Sequence, residues 1–360
     1  MSLQNSKRKL PAQYFTHTSF DNLMKKRIYH VLLVSSTYDA FILEEDGRVD
    51  EQIFNEYVSL NLRYPPQFIQ ASSEEEALEV MKEVHIDLII TMLSAEDTEG
   101  GFGWADNIKK NNPDIPIVVL IPFSRRTAIT LTEEDLSSID YVFSWLGNAD
   151  LLLAIIKLIE DKMNVDQDIE NVGVQAILLV EDSVRFYSSF LPPIYKIIFK
   201  QSQTFMTEGL NEHQRMLRMR GRPKIILATT YEEAVDYYMK YKQNLLGVIS
   251  DISYSREGKK DYEAGIKFCE LIKRDDPLMP ILLQSSDTKF AARAKELKVG
   301  FLNKNSKTLS IQLKSFIKEY FAFGDFIFVD PETWEEIDRA EDLRQLQEKV
   351  FQVPDKSLEY

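Results

Sequence analysis

One stretch of the chain occurs twice. GFGWADNIKKNNPDIPIVVL at 101–120 aligns without gaps with GIKFCELIKRDDPLMPILLQ at 265–284, and a glycine, an Ile-Lys pair and two prolines coincide. A repeat this widely spaced is a repeat of whole domains, which restricts the chain to architectures built from two similar units. Around the repeat, short β-branched runs alternate with amphipathic stretches, the pattern of βα units feeding a parallel sheet. YHVLLVS, PQFIQAS, HIDLIITM, IPIVVLI and DYVFSW predict five strands between 29 and 145, with helices in SEEEALEVMKEV, GWADNIKKNN and about 149–163. AILLVE, PKIILAT, LLGVISD, MPILLQS and GFLNK predict five more, with helices in TYEEAVDYYMKY and IKFCELIK. The stretch after the third strand is longer in the second copy by five residues.

The expected fold is therefore α/β: two flavodoxin-like, doubly wound, five-stranded parallel sheets of order 2-1-3-4-5 in tandem. The expected organisation is an N-terminal extension over 1–26, a first unit over 27–163, a linker over 164–175, a second unit over 176–322 and a C-terminal segment over 323–360. NVDQDIENVG is polar and without periodicity, hence the linker. In the C-terminal segment FIFV predicts a strand, Asp330-Pro331-Glu332 a turn, and about 339–350 a helix.

Composition removes several classes of function. Apolar runs stay far short of a membrane span and the polar, basic start carries no signal core, so a cytoplasmic protein without a membrane partner is expected. A net charge of −14 opposes nucleic-acid binding, and the basic stretches Ser6 to Lys9 and Arg215 to Arg222 are short. The lone cysteine, Cys269, excludes an intrachain disulfide and predicts a buried thiol. Four scattered histidines show no zinc-ligand spacing.

In this fold class the ligand site lies at the carboxyl ends of the strands. In the second copy those ends carry Glu181-Asp182-Ser183, Asp251, Gln284-Ser285 and Asn303-Lys304. Three clustered carboxylates call for a cation, because unit charges about 4 Å apart repel by roughly 4 kcal/mol at an effective dielectric near 20. Hard oxygen ligands beside a lysine suit Mg²⁺ and a phosphate. For phosphoryl transfer, Asp251 would be the nucleophile, Glu181 and Asp182 would hold the metal, Lys304 would meet the phosphoryl oxygens and Ser285 would donate its hydroxyl to them. In the first copy Ser35-Ser36, Met92, Ile121 and Trp145 stand at the corresponding places and cannot do this chemistry. Glu96, Asp97 and Glu99 nearby read as a solvated loop.

ILLVEDS, VISDI, ILLQSS and FLNK resemble the four signature segments of response-regulator receiver domains, over about 176–320. The resemblance implies that Asp251 is the phosphoacceptor, that the Ser253 backbone carbonyl completes the Mg²⁺ site, and that Ser285 and Phe301 form the pair that reports phosphorylation. It implies a sensor histidine kinase or phosphotransfer protein as partner, a downstream domain or enzyme as output, and allows a homodimer. Two departures from the family are Asn305, where a proline is usual, and the long charged stretch ISYSREGKKDYEAG after Asp251. The first copy reads as a pseudo-receiver, usable as a dimerisation surface, lid or docking platform. The C-terminal segment resembles the linker before the nucleotide-binding part of phosphoenolpyruvate synthase and pyruvate phosphate dikinase-like proteins. This chain would then be a regulatory front without Walker-type or phosphohistidine motifs of its own. The alternative is a phosphorylation-independent structural platform. A haloacid-dehalogenase-type phosphatase would need an acid at Ser253, and an FMN site would need a phosphate loop where SVRFYSSF stands.

Overall fold

The structure is a computed structural model that describes residues 23–36, 43, 48–60, 62, 64–92, 103–122, 137–145, 147, 149–204, 221–321, 326–329 and 336–340. The first unit runs β1 (His30–Val34), α1 (Val49–Ser59), β2 (Gln67–Ala71), α2 (Glu74–Glu83), β3 (Leu88–Met92), α3 (Gly103–Asn111), β4 (Ile117–Pro122), β5 (Tyr141–Trp145) and α4 (Asp150–Val172). Its five strands are parallel in the order β2-β1-β3-β4-β5. The second unit runs β6 (Ala176–Val180), α5 (Val184–Thr204), β7 (Lys224–Ala228), α6 (Tyr231–Tyr241), β8 (Leu245–Asp251), β9 (Tyr254–Arg256), β10 (Lys259–Asp261), α7 (Ala264–Asp275), β11 (Ile281–Ser285), α8 (Ala291–Glu296), β12 (Gly300–Asn303) and α9 (Leu309–Phe316). Its main sheet has the order β12-β11-β8-β6-β7, which is the same 2-1-3-4-5 arrangement. Two flavodoxin-like sheets in tandem are thus present, as the alternation of β-branched runs and amphipathic stretches implies.

Helix starts follow local chemistry. Ser73 and Thr230 cap α2 and α6, each side-chain oxygen accepting the N–H of the third residue on, Glu76 and Glu233. The carboxylates of those glutamates reach back to the N–H groups of Ser72 and Thr229, closing the reciprocal box at both helices.

The polar stretch read as a linker is helical: α4 continues to Val172 and ends on Gly173 at φ 72°. One face of it carries polar residues into the interior, while Asp166 and Glu170 face solvent. Asp161, Asn164 and Asp168 are fully buried, and each meets a fixed partner. The Arg222 guanidinium donates to both Asp161 oxygens at 2.8 and 3.0 Å, while Tyr195 Oη and the Ile225 N–H donate to Oδ2 at 2.9 and 3.0 Å. Lys224 Nζ lies 2.9 Å from Asp168, and burial pulls that ammonium below the usual lysine range even so. Arg222, the end of one of the short basic stretches, is buried against Tyr195 and Phe199.

The end of the N-terminal extension lies along the same helix. The N–H groups of Met24, Lys26 and Ile28 donate to Asp168, Asn164 and Glu160, side chains one turn apart. Residues 1–22 lie outside the described residues.

A second helix also departs from expectation. α5 spans Pro192-Pro193, a pair that argues against a helix interior. Tyr187, Leu191, Ile194, Tyr195, Ile198 and Phe199 are all buried at helical spacing, so burial outweighs the local cost. One apolar core runs from β1, β3 and β5 through α4 and α5 to β7, so the two units share it. α5 also covers edge strand β5: Ser188 Oγ accepts the Ser144 N–H at 2.9 Å, Tyr187 Oη donates to the Val142 carbonyl, and the Phe143 and Tyr187 rings meet edge to face at 5.3 Å.

Near the C-terminus β13 (Phe326–Val329) pairs antiparallel with β14 (Glu336–Ala340). Arg339 and Ala340, where a helix is predicted to begin, are therefore strand residues. The predicted turn at 330–332 and the rest of that helix lie outside the described residues, as does the acidic loop with Glu96, Asp97 and Glu99.

Candidate functional site

Strand register fixes which residues of the two units correspond. In the second sheet Val180 pairs with Ser250, Asp251 with Gln284 and Ser285 with Asn303. In the first, Val34 pairs with Thr91, Met92 with Leu120 and Ile121 with Ser144. Ser35 and Ser36 thus stand for Glu181 and Asp182, Met92 for Asp251, Ile121 for Ser285 and Trp145 for Lys304. Met92, Ile121 and Trp145 are buried, so these first-unit positions serve packing.

At the second sheet's edge one oxygen each from Glu181, Asp182 and Asp251 lies within 4.8 Å of the others. Lys304 joins two of them from below: its side chain is 2% exposed, its ammonium pairs with Glu181 and lies 2.9 Å from Asp251 Oδ1, and the Phe186 ring sits 4.1 Å away. Lys304 is aimed there because its N–H donates to the Ser285 carbonyl at 3.0 Å, which extends the β11–β12 ladder by one residue. Burial pushes the Glu181 carboxyl up to about 7; Lys304 opposes this and the Asp251 charge adds to it. Ser285 is buried, and its Oγ accepts the Asp287 N–H at 3.1 Å. Phe301 is partly buried on β12, against the core on the α6 and α7 side of the sheet.

The backbone at Asp251 is held by close packing. A Cβ on Gly265, in the first turn of α7, would stand 2.1 Å from the Asp251 carbonyl oxygen and 2.8 Å from Ile252 Cα. Gly265 donates its N–H to the Ile252 carbonyl at 2.9 Å. The glycine of the repeat is therefore a contact that only glycine permits.

The long charged stretch after Asp251 is an ordered hairpin, β9–β10, which sequence reasoning missed. Glu257 and Gly258 form its turn at φ 52° and 72°. Tyr254 is fully buried, Ser255 bridges to Thr230, the Glu257 N–H donates to Glu232 at 2.9 Å, and the Arg256 guanidinium lies 4.8 Å over the Tyr231 ring. So fastened, the hairpin returns Lys260 to the site. Its ammonium donates to Asp182 Oδ2 at 2.6 Å and to the Ser253 carbonyl at 2.7 Å. A Glu-Gly turn between two short charged runs was the available signal.

The site therefore sets three carboxylates against two ammonium groups. The donors are oxygens of the hard type that Mg²⁺ takes, and the Asp182 and Ser253 oxygens already converge on one cation, that of Lys260. The residues present fit a divalent cation, which Asp182, Asp251 and the Ser253 carbonyl would hold, with Glu181 behind them.

No protein-family model matches the chain, and no curated protein matches it. Among solved structures, two described as two-component system response regulator/GGDEF domain proteins align at 13% and 12% identity, over 80% and 79% of this chain and 96% of each of theirs, both with TM-score 0.31. A Staphylococcus aureus MnaA–UDP structure aligns at 11% identity over 82% of this chain and 90% of its own, with TM-score 0.22. At such scores an overlay carries no argument, and the fold assignment rests on strand order and register. Those define a pair of doubly wound α/β units with an acidic, lysine-backed site in the second.

Proposed function

We propose that the second unit is a receiver that accepts a phosphoryl group on Asp251, and that the first is a pseudo-receiver retaining the scaffold without the chemistry. The observation that carries this is the Lys304 ammonium between Glu181 and Asp251, beside an acidic cluster on converging strand ends. An Asp251 carboxylate oxygen attacks phosphorus of a phosphohistidine or acyl phosphate; the new O–P bond forms as the bond to the donor breaks, and the donor atom leaves with the electron pair. Lys304 neutralises charge on the moving group and Ser285 Oγ offers it a hydroxyl. Bound Mg²⁺ would supply further charge neutralisation at the oxygens of the transferring group. Ser285 and Phe301 would then report the modification. The partners proposed are a sensor histidine kinase or phosphotransfer protein, and a downstream domain or enzyme reached through 323–360, the stretch that resembles the phosphoenolpyruvate synthase linker. A homodimer would have to use surface other than β5, which α5 covers.

The competing reading, a phosphorylation-independent platform, is favoured by the core and buried ion pairs that the two units share. Intact-mass spectrometry after incubation with Mg²⁺ and acetyl phosphate decides between them. One phosphoryl adduct on the wild type and none on Asp251→Asn is the expected result. An adduct that persists in Asp251→Asn, or none on the wild type, overturns the receiver assignment.

A further inference from the structure

We propose that Lys260 is a built-in counter-cation of this site, occupying the position that a divalent cation shared by Asp182 and the Ser253 carbonyl would take, so that metal binding has to displace it. The inference rests on the receiver reading of the site and adds a determinant of its metal affinity. The two lysines are not equivalent. Lys304 is sealed in, 2% exposed, on the side of Glu181. Lys260 approaches from outside, 46% exposed, and makes its contacts to Asp182 and Ser253 rather than to Asp251. A divalent ion held at about 2.1 Å by these same two oxygens would lie close to an ammonium bonded to both at 2.6 and 2.7 Å, and two cations so near each other repel.

The hairpin supplies the lever for exchange. Its backbone is anchored through Tyr254, Ser255 and Glu257, so Lys260 can swing into solvent while the strands stay docked. In the metal-free protein Lys260 holds Asp182 in place and offsets its charge. Neighbouring Asp261 does not draw Lys260 away, because Lys267 pairs with it at 2.7 Å and Arg256 lies 3.7 Å from it. Asp182 thus has a resident cation, and an incoming metal must break an ion pair and a charge-assisted hydrogen bond to replace it.

The test is Mn²⁺ binding to the full chain, measured as loss of the free-ion electron paramagnetic resonance signal with Mg²⁺ as competitor, for wild type, Lys260→Gln and Asp182→Ala. Circular dichroism confirms that each is folded. Lys260→Gln is expected to bind Mn²⁺ about tenfold more tightly than wild type, the scale of a part-exposed ion pair plus a charge-assisted hydrogen bond, while Asp182→Ala loses the site. Equal affinity of wild type and Lys260→Gln, with Asp182→Ala still abolishing binding, overturns the inference and leaves the receiver reading standing. No binding by either wild type or Lys260→Gln removes the metal site, and with it both the inference and the metal-assisted reading.

Discussion

Replacing Asp161 by alanine should destabilise both units together. Asp161 is fully buried and accepts four hydrogen bonds: two from Arg222, one from Tyr195 Oη and one from the Ile225 N–H. The arginine is 3% exposed, so removing its partner leaves an uncompensated buried charge, a loss of about 3–5 kcal/mol. Two neutral donors are orphaned as well, each worth about 1–3 kcal/mol if water cannot reach it. These terms are not additive, and about 5 kcal/mol is the combined expectation, comparable to the whole stability of many domains at about 5–15 kcal/mol. The assay is urea unfolding of a chain with Trp104 and Trp334 changed to phenylalanine, followed by the fluorescence of the remaining Trp145 of the first unit, and in parallel by far-UV circular dichroism, which reports both units. Because the cores are continuous, the two signals should move to lower urea together. Asp161→Leu with Arg222→Met should recover the part due to the unpaired charge, since an apolar pair needs no solvation, while Tyr195 Oη and the Ile225 N–H stay unpaired. A change below about 1 kcal/mol for Asp161→Ala, or wild-type transitions that separate by probe, would refute a shared ionic core.

Three other outcomes are expected. Gly265→Ala drives a methyl into the Asp251 carbonyl, so it should cost about 2 kcal/mol or more and abolish acetyl-phosphate labelling; wild-type labelling and an unchanged urea midpoint would contradict the close contact. Lys304→Met leaves Glu181 and Asp251 without their shared cation and should lower the melting temperature, with millimolar Mg²⁺ restoring part of it; a loss that Mg²⁺ leaves untouched would argue against a metal position there. Burial pushes the Cys269 thiol up to about 11 from its ordinary 9.0, so at pH 8 a maleimide should label the native chain only as fast as it opens. Between pH 9 and 11 the unfolded thiol ionises first and the folded state loses stability, an effect that should shrink in Cys269→Ala.

The ten sheet strands were legible because each is a short run rich in aliphatic or aromatic residues between polar breaks, and the candidate site because doubly wound sheets gather their strand ends. What escaped the sequence was polar residues doing interior work. Asn164 and Asp168 read as linker and Asp161 only as part of the preceding helix, yet all three line the face of α4 that meets Arg222, Lys224 and residues 24–28. Their spacing of three and four was the signal, and it was obscured because the partners lie far off in sequence. α5 was hidden by Pro192-Pro193, and β9–β10 by strands of three residues with too little apolar content to show a period. In each case long-range burial or a long-range ion pair outweighed local preference, which a window of neighbouring residues does not contain.

The same helix that walls the site also holds the first unit. α5 begins two residues after Asp182, and its first turns place Phe186 against the Lys304 ammonium. One residue on, Tyr187 bonds the Val142 carbonyl, and Ser188 takes the Ser144 N–H of β5. A movement of Lys304 toward a phosphorylated Asp251 would change what Phe186 packs on, and α5 cannot absorb that change locally, because its next residues are fixed to the edge of the other sheet. Packed cores shift between discrete arrangements rather than stretching. A first unit without acidic residues at its strand ends then has a physical use under the proposed function: it supplies the edge strand against which the first turns of α5 are held.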